Sequence, residues 1–169
     1  MTLRVRLLGS LEVERHVKAV DVPVGRPARL VLGWLAAFPG KHARAEVAAR
    51  LWPDVLDSSA RASLRTALSQ VRAALGPAAV HVQASRETVE LGGEGLWVDL
   101  RVFAELVASG RLEDALALCR GEVLDGLDEE WVLELRSGHA TERAGAATTL
   151  VRAAKDAGES RAARVWARR

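Results

Sequence analysis

Residues 58–75 read SSARASLRTALSQVRAAL and lie between Asp57 and Gly76. Stepped at 100° per residue, Leu64, Ala67, Leu68, Val71, Ala74 and Leu75 fall within about 120° of arc, the width of a core-facing helical stripe. Ala62, Thr66, Ser69 and Ala73 stand opposite it, and Arg61, Arg65 and Arg72 run along one border. The pattern predicts a helix with one buried face. Ser58 or Asp57 is placed to cap its start, and Gly76-Pro77 to stop it.

Upstream, Leu30, Val31, Trp34, Leu35 and Phe38 share one stripe, which predicts a helix over 26–38 ended by Pro39-Gly40. A second helix over 44–52 carries Val47, Ala48, Leu51 and Trp52 on its buried side and stops before Pro53-Asp54. Trp34 and Trp52 fall in register with these stripes and read as core anchors. Before the helices, Leu3, Val5 and Leu7, then Leu11 and Val13, alternate with polar residues as in short antiparallel strands. After them, VHVQ (80–83) and TVEL (88–91) flank ASRE (84–87) as a hairpin with Arg86 at its tip.

Strands, three helices and a hairpin make a winged helix-turn-helix preceded by an N-terminal antiparallel sheet. In that arrangement the third helix lies in a DNA major groove. From Val98 onward helical patterns dominate. A short pair, 98–108 and 111–119, is joined at Ser109-Gly110; a longer helical region covers 128–157, and a further helix begins after Gly158. The expected fold class is therefore α+β: a winged-helix domain over 1–97, followed over 98–169 by an all-α domain that begins with a helix pair.

The charge follows this division. Residues 1–97 hold 13 Lys or Arg against 9 Asp or Glu, while residues 98–169 hold 11 against 13. A basic front and a mildly acidic back fit a nucleic-acid module joined to a protein-contact module. Arg4 and Arg6 interrupt the only apolar run near the N-terminus, so no signal peptide is expected there. No apolar stretch approaches the roughly 20 residues that cross a bilayer. A cytoplasmic protein without membrane contact is the expectation.

Several segments together resemble one family. RLLGSLEV, RLVLGWLA, EVAARLWPD, ASLRTALSQVRAAL, VDLRVFAELVASGRLEDALAL and GEVLDGLDEEWVLELR are similar to the actinobacterial antibiotic-regulatory activators called the SARP family. The resemblance implies a winged helix joined to a bacterial transcriptional activation domain of tetratricopeptide-like helix pairs. It also implies binding to promoter repeats in double-stranded DNA and contact with RNA polymerase and its sigma factor. Two departures stand out: the helical half is shorter than in the family, and Gln70 occupies a position where a basic residue is common.

The small residues at the centre of the third helix would let its backbone sit deep in a groove, with Arg61, Arg65, Thr66, Ser69 and Arg72 reaching phosphates or base edges. Arg86 suits a wing contact to the minor groove or a phosphate, and Arg44 and Ser58, near helix starts, suit phosphates. Each has a plainer alternative: border arginines on a solvated helix face, a charge at a hairpin tip, Ser58 as a simple cap. In the second half, stacked helix pairs need polar end caps, and none is visible. Val165 and Trp166 would then face a missing neighbour, so that end is expected to pack back, to form a homodimer or to dock a partner. The acidic run Asp125, Asp128, Glu129 and Glu130 reads as a helix's first turn.

Catalysis finds no support in the pattern. His16, His42, His81 and His139 lack metal-ligand spacing, Cys119 has no histidine nearby in sequence, and Gly92-Gly93-Glu94-Gly95 is not followed by the Lys-Ser/Thr of a nucleotide loop. No enzyme activity and no cofactor are expected.

Overall fold

The computed structural model of the chain describes residues 2–15, 18–20, 25–158 and 165–166. In chain order the first elements are β1 (Leu3–Arg6), β2 (Gly9–Ser10), β3 (Glu12–Arg15), β4 (Lys18–Val20), α1 (Arg26–Ala37), β5 (His42–Ala43), α2 (Arg44–Leu51) and α3 (Asp57–Leu75). A 3-10 helix (Gly76–His81) leads to β6 (Val82–Ala84), β7 (Thr88–Leu91) and β8 (Leu96–Val98). Then come α4 (Asp99–Ala108), α5 (Leu112–Leu118), β9 (Val123–Asp125) and α6 (Glu130–Asp156). The chain forms two compact units, residues 1–7 with 11–98, and residues 8–10 with 99–169. The fold class is α+β, a winged-helix unit and a helical unit.

In the first unit, strand alternation acts as expected. Leu3 and Val5 of β1 are buried, and Arg4 and Arg6 take the other face. Strand β3 pairs antiparallel with both β1 and β4, but β8 joins β1 in parallel, Leu3 opposite Leu96 and Val5 opposite Val98. The N-terminal sheet, ordered β4-β3-β1-β8, is therefore mixed and not purely antiparallel. The helices between β1 and β8 form the long crossover that a parallel neighbour requires. On the outer face Trp97 of β8 receives two guanidinium groups, Arg4 at 5.0 Å and Arg6 at 5.4 Å from the ring centre.

Helix α1 buries most of its length, including Leu30, Val31, Trp34 and Leu35. Helix α2 contributes Val47, Ala48 and Leu51, while Trp52 at its end is only half-buried. The stripe read from 58–75 is realised in α3, where Ala60, Leu64, Ala67, Leu68, Val71 and Leu75 are buried against α1 and α2. The helix starts two residues earlier than a Ser58 cap would place it and one earlier than an Asp57 cap would: Leu56 stands at the cap position, no side chain caps the first turn, and Ser58 is exposed. Gly76 ends it at φ 53° and ψ −127°, backbone space open to glycine. Past it, Val80 and His81 belong to the 3-10 turn and not to a strand, so the hairpin is shorter than its alternation suggested.

The hairpin also gains a third strand. Strand β5, just ahead of α2, pairs with β7 through His42 opposite Val89 and Ala43 opposite Thr88. The resulting sheet, ordered β5-β7-β6, ties the start of the helix-turn-helix to the wing.

The second unit is not helical throughout. Strand β2 pairs in parallel with β9, Gly9 opposite Val123 and Ser10 opposite Asp125. Leu8 N–H donates to Oδ2 of the fully buried Asp99 at 3.0 Å, and Arg120 N–H donates to the Leu8 carbonyl at 3.0 Å. Helix α5 packs on α4 and α6. Within this unit Phe103, Leu116, Leu124, Leu127, Trp131 and Val132 are buried. No helix among the described residues is long and apolar enough to cross a membrane.

Candidate nucleic-acid interface

Four of the arginines singled out in the sequence border one groove. Ala43, Arg44 and Ala45 at the start of α2, Arg61, Leu64 and Arg65 of α3, and Arg86 and Glu87 at the wing tip enclose about 600 Å³. Three elements separated by some twenty residues each deliver a guanidinium to the same depression. Leu64 lies in its wall because the groove follows the border between the buried stripe and the outer face of α3.

The wing tip is held from two sides. The Ser85 side-chain oxygen accepts from Glu87 N–H at 3.1 Å and Thr88 N–H at 3.0 Å, closing the turn locally and leaving Arg86 exposed. From outside, Arg44 uses both ends: its backbone N–H donates to the Glu87 carbonyl at 2.8 Å and its Nη1 donates to the Ser85 carbonyl at 3.1 Å. On the other strand, Arg72 Nη2 donates to the Val82 carbonyl at 3.1 Å.

The border arginines thus differ in what already engages them. Arg61 forms an exposed pair with Asp57, one turn earlier, at 3.0 Å. Exposed pairs of this spacing contribute about 0.3–0.5 kcal/mol, so a phosphate can displace the aspartate readily. Arg65 and Arg86 have no hydrogen bond or ion pair among the described residues. Thr66 and Ser69, with Ala62 and Ala73, are exposed on the outer face of α3, clear of the groove lining. Ser58, at the second position of α3, is exposed as well.

Val165 is 49% exposed, while Trp166 lies half-buried along α6, beside Ala140, Arg143, Ala144, Ala147, Thr148 and Val151. The other residues of the expected last helix lie outside the described residues. Of the acidic run, Asp128 lies 3.5 Å from Arg136 and α6 begins at Glu130.

The histidines have individual structural surroundings. His42 packs edge-on against Trp34 and contacts the Phe38 carbonyl at 3.0 Å. The buried His81 contacts the Gly92 carbonyl at 3.1 Å. His16 lies outside the described residues. Cys119 does have a histidine neighbour, hidden by twenty positions of chain: its Sγ lies 3.8 Å from His139 Nε2. Burial, and then the Arg143 charge, push the His139 pKa below its ordinary value. No group of three or more His, Cys, Asp or Glu side chains among the described residues is arranged to hold a metal ion.

A winged helix, arginines converging on one groove beside its third helix, and a following helical unit define a transcription-regulator fold. Among solved structures the chain is similar to EmbR of Mycobacterium tuberculosis, determined in complex with a low-affinity phosphopeptide: TM-score 0.74 and 26% identity, over 95% of this chain and 47% of that one. The chain thus spans about half the length of EmbR, a regulator of the SARP family, and the likeness supports a SARP-like fold. No family profile and no curated protein matches the sequence.

Proposed function

We propose that the chain is a sequence-specific DNA-binding transcriptional regulator, acting in the cytoplasm as an activator. Residues 1–97 serve as the DNA-binding module and residues 98–169 contribute to an activation module. The observation that carries this reading is the groove itself, in which Arg44, Arg61, Arg65 and Arg86 surround one border of α3. With α3 in a major groove, its small outer residues allow close approach and the arginines meet phosphates and base edges. The helical unit would contact RNA polymerase and its sigma factor, as the resemblance implies, or a second copy bound at an adjoining promoter repeat, through the end that bears Val165 and Trp166.

Titration of a labelled random duplex tests the reading. An interface that neutralises about four phosphates loses about 100-fold in affinity between roughly 50 and 200 mM salt. Absence of salt-sensitive binding at the lower concentration rejects it.

That outcome would favour a second reading, in which the winged fold docks a protein in place of DNA. Its supporting observation is the connection between α2 and α3, where Val55 is 46% exposed and Leu56 79% exposed. Such apolar exposure is more at home in a protein contact than against phosphates.

A further inference from the structure

Resting on the DNA-binding reading, we infer that Arg65 is the groove arginine that reads a base, donating both branches of its guanidinium to one guanine, and that Arg44 and Arg72 are positioning residues for the wing. The sequence places Arg61, Arg65 and Arg72 on one border and offers no way to rank them. Their partners in the fold separate them.

A bidentate contact to guanine O6 and N7 uses two parallel N–H groups in a fixed plane, so the guanidinium must be uncommitted and able to lie toward the groove floor. Arg72 is drawn away from that position to the Val82 carbonyl. Arg44 is drawn to the Ser85 carbonyl, while its own backbone fixes the Glu87 carbonyl. Each therefore commits one of its five N–H groups to β6 or the wing tip, which ties its guanidinium to the wing. Arg61 lies against Asp57, which would bring a carboxylate beside any base edge that Arg61 approached; displaced by a phosphate, the pair instead supplies charge at the backbone. Arg86 is unengaged but rides on the wing tip, and a wing reaches the backbone or the minor groove, whose pattern separates little more than A·T from G·C.

Arg65 remains. It lines the groove, has no partner among the described residues, and sits near the middle of α3. Its neighbours toward the outer face, one turn before and one turn after, are Ala62 and Ser69, both small and exposed. Nothing bulky stands between its guanidinium and the centre of the face that enters the groove.

The test uses the intact 169-residue chain. A duplex site is first selected from a random-sequence pool, and each G·C pair of that site is then replaced in turn. The wild-type chain is expected to lose about 5- to 150-fold at one guanine. Arg65→Ala should level that preference to within about twofold, and Arg65→Lys should weaken it, because an ammonium lacks the planar fork of the guanidinium. Arg65→Lys should also keep the salt slope of the wild type. Arg44→Ala should weaken binding to all these duplexes alike and leave the preference standing. Retention of every guanine preference in both Arg65 variants overturns the inference while leaving DNA binding intact. Salt-sensitive binding without any selected sequence also overturns it. Loss of all salt-sensitive binding by the wild type removes the parent reading with it. Unchanged circular dichroism in both Arg65 variants is expected, since the side chain is exposed.

Discussion

Arg72 on α3 donates to the Val82 carbonyl on β6 at 3.1 Å, so one border arginine of α3 also holds the wing. The helical wheel gives Arg72 no structural partner, and on that basis its removal would weaken DNA binding alone. The hydrogen bond alters the expectation. Arg72→Ala should lower stability by about 0.5–1.5 kcal/mol as well as affinity, the net contribution of a typical intramolecular hydrogen bond. Urea unfolding alongside DNA titration checks it, and a variant with unchanged stability would deny the bond any structural weight. Arg65→Ala, lacking such a partner, should leave stability within about 0.5 kcal/mol of the parent.

The core of the winged unit depends on the inner side of the same helix. Leu68 is only 2% exposed and belongs to the stripe packed toward α1 and α2. Leu68→Ala should cost roughly 2–5 kcal/mol through lost burial and an unfilled cavity. Equilibrium denaturation gives the value directly; a loss below 1 kcal/mol would mean that the site collapses around the missing side chain.

In the helical unit a single cation closes a strained loop. Arg136 donates to the Val123, Leu124 and Leu127 carbonyls at 2.7, 2.9 and 2.8 Å, and it lies 3.5 Å from Asp128. Leu124, fully buried, is held at φ 53°, a left-handed conformation that costs a leucine about 1–2 kcal/mol. Arg136→Leu leaves those carbonyls without their donor and should destabilise the chain by about 3 kcal/mol or more. A thermal scan of the variant against the parent measures this, and an unchanged midpoint would show the loop closing without the arginine.

His139 makes stability depend on pH. Burial, reinforced by Arg143, holds its folded pKa below the ordinary 6.5, so the unfolded chain binds the proton more readily. The contribution from its neutral form is fully present above pH 6.5. It falls as the pH drops through 6.5 toward the folded pKa, and the loss levels off below that value. Unfolding free energies at a series of pH values should therefore show a decline in this window that His139→Gln flattens. A wild type and variant with parallel profiles would assign the decline to other groups.

Much of the fold is legible in the chain because helix and strand periods are local. The stripe of Leu64, Leu68, Val71 and Leu75, the alternation of Leu3 and Val5, and the stop at Gly76 each follow from residues a few positions apart. Patterns fail where pairing partners are remote. Strand β9 was hidden because its partner, Gly9–Ser10, lies more than a hundred residues earlier, and a three-residue strand carries no period of its own. The direction of β8 was hidden for a similar reason: alternation says which face a residue takes, not which way its neighbour runs.

By itself, then, the sequence determined the helices, their buried faces and the stock of arginines along one border of α3, since side-chain spacing and backbone geometry suffice for these. Tertiary structure alone decided that Arg44, Arg61, Arg65 and Arg86 share one groove, that Arg72 and Arg44 are engaged by wing carbonyls while Arg65 is not, and that Cys119 meets His139. Those relations depend on where hydrogen bonds and burial bring distant segments together. A guanidinium's availability is settled by the carbonyl or carboxylate that packing puts within its reach.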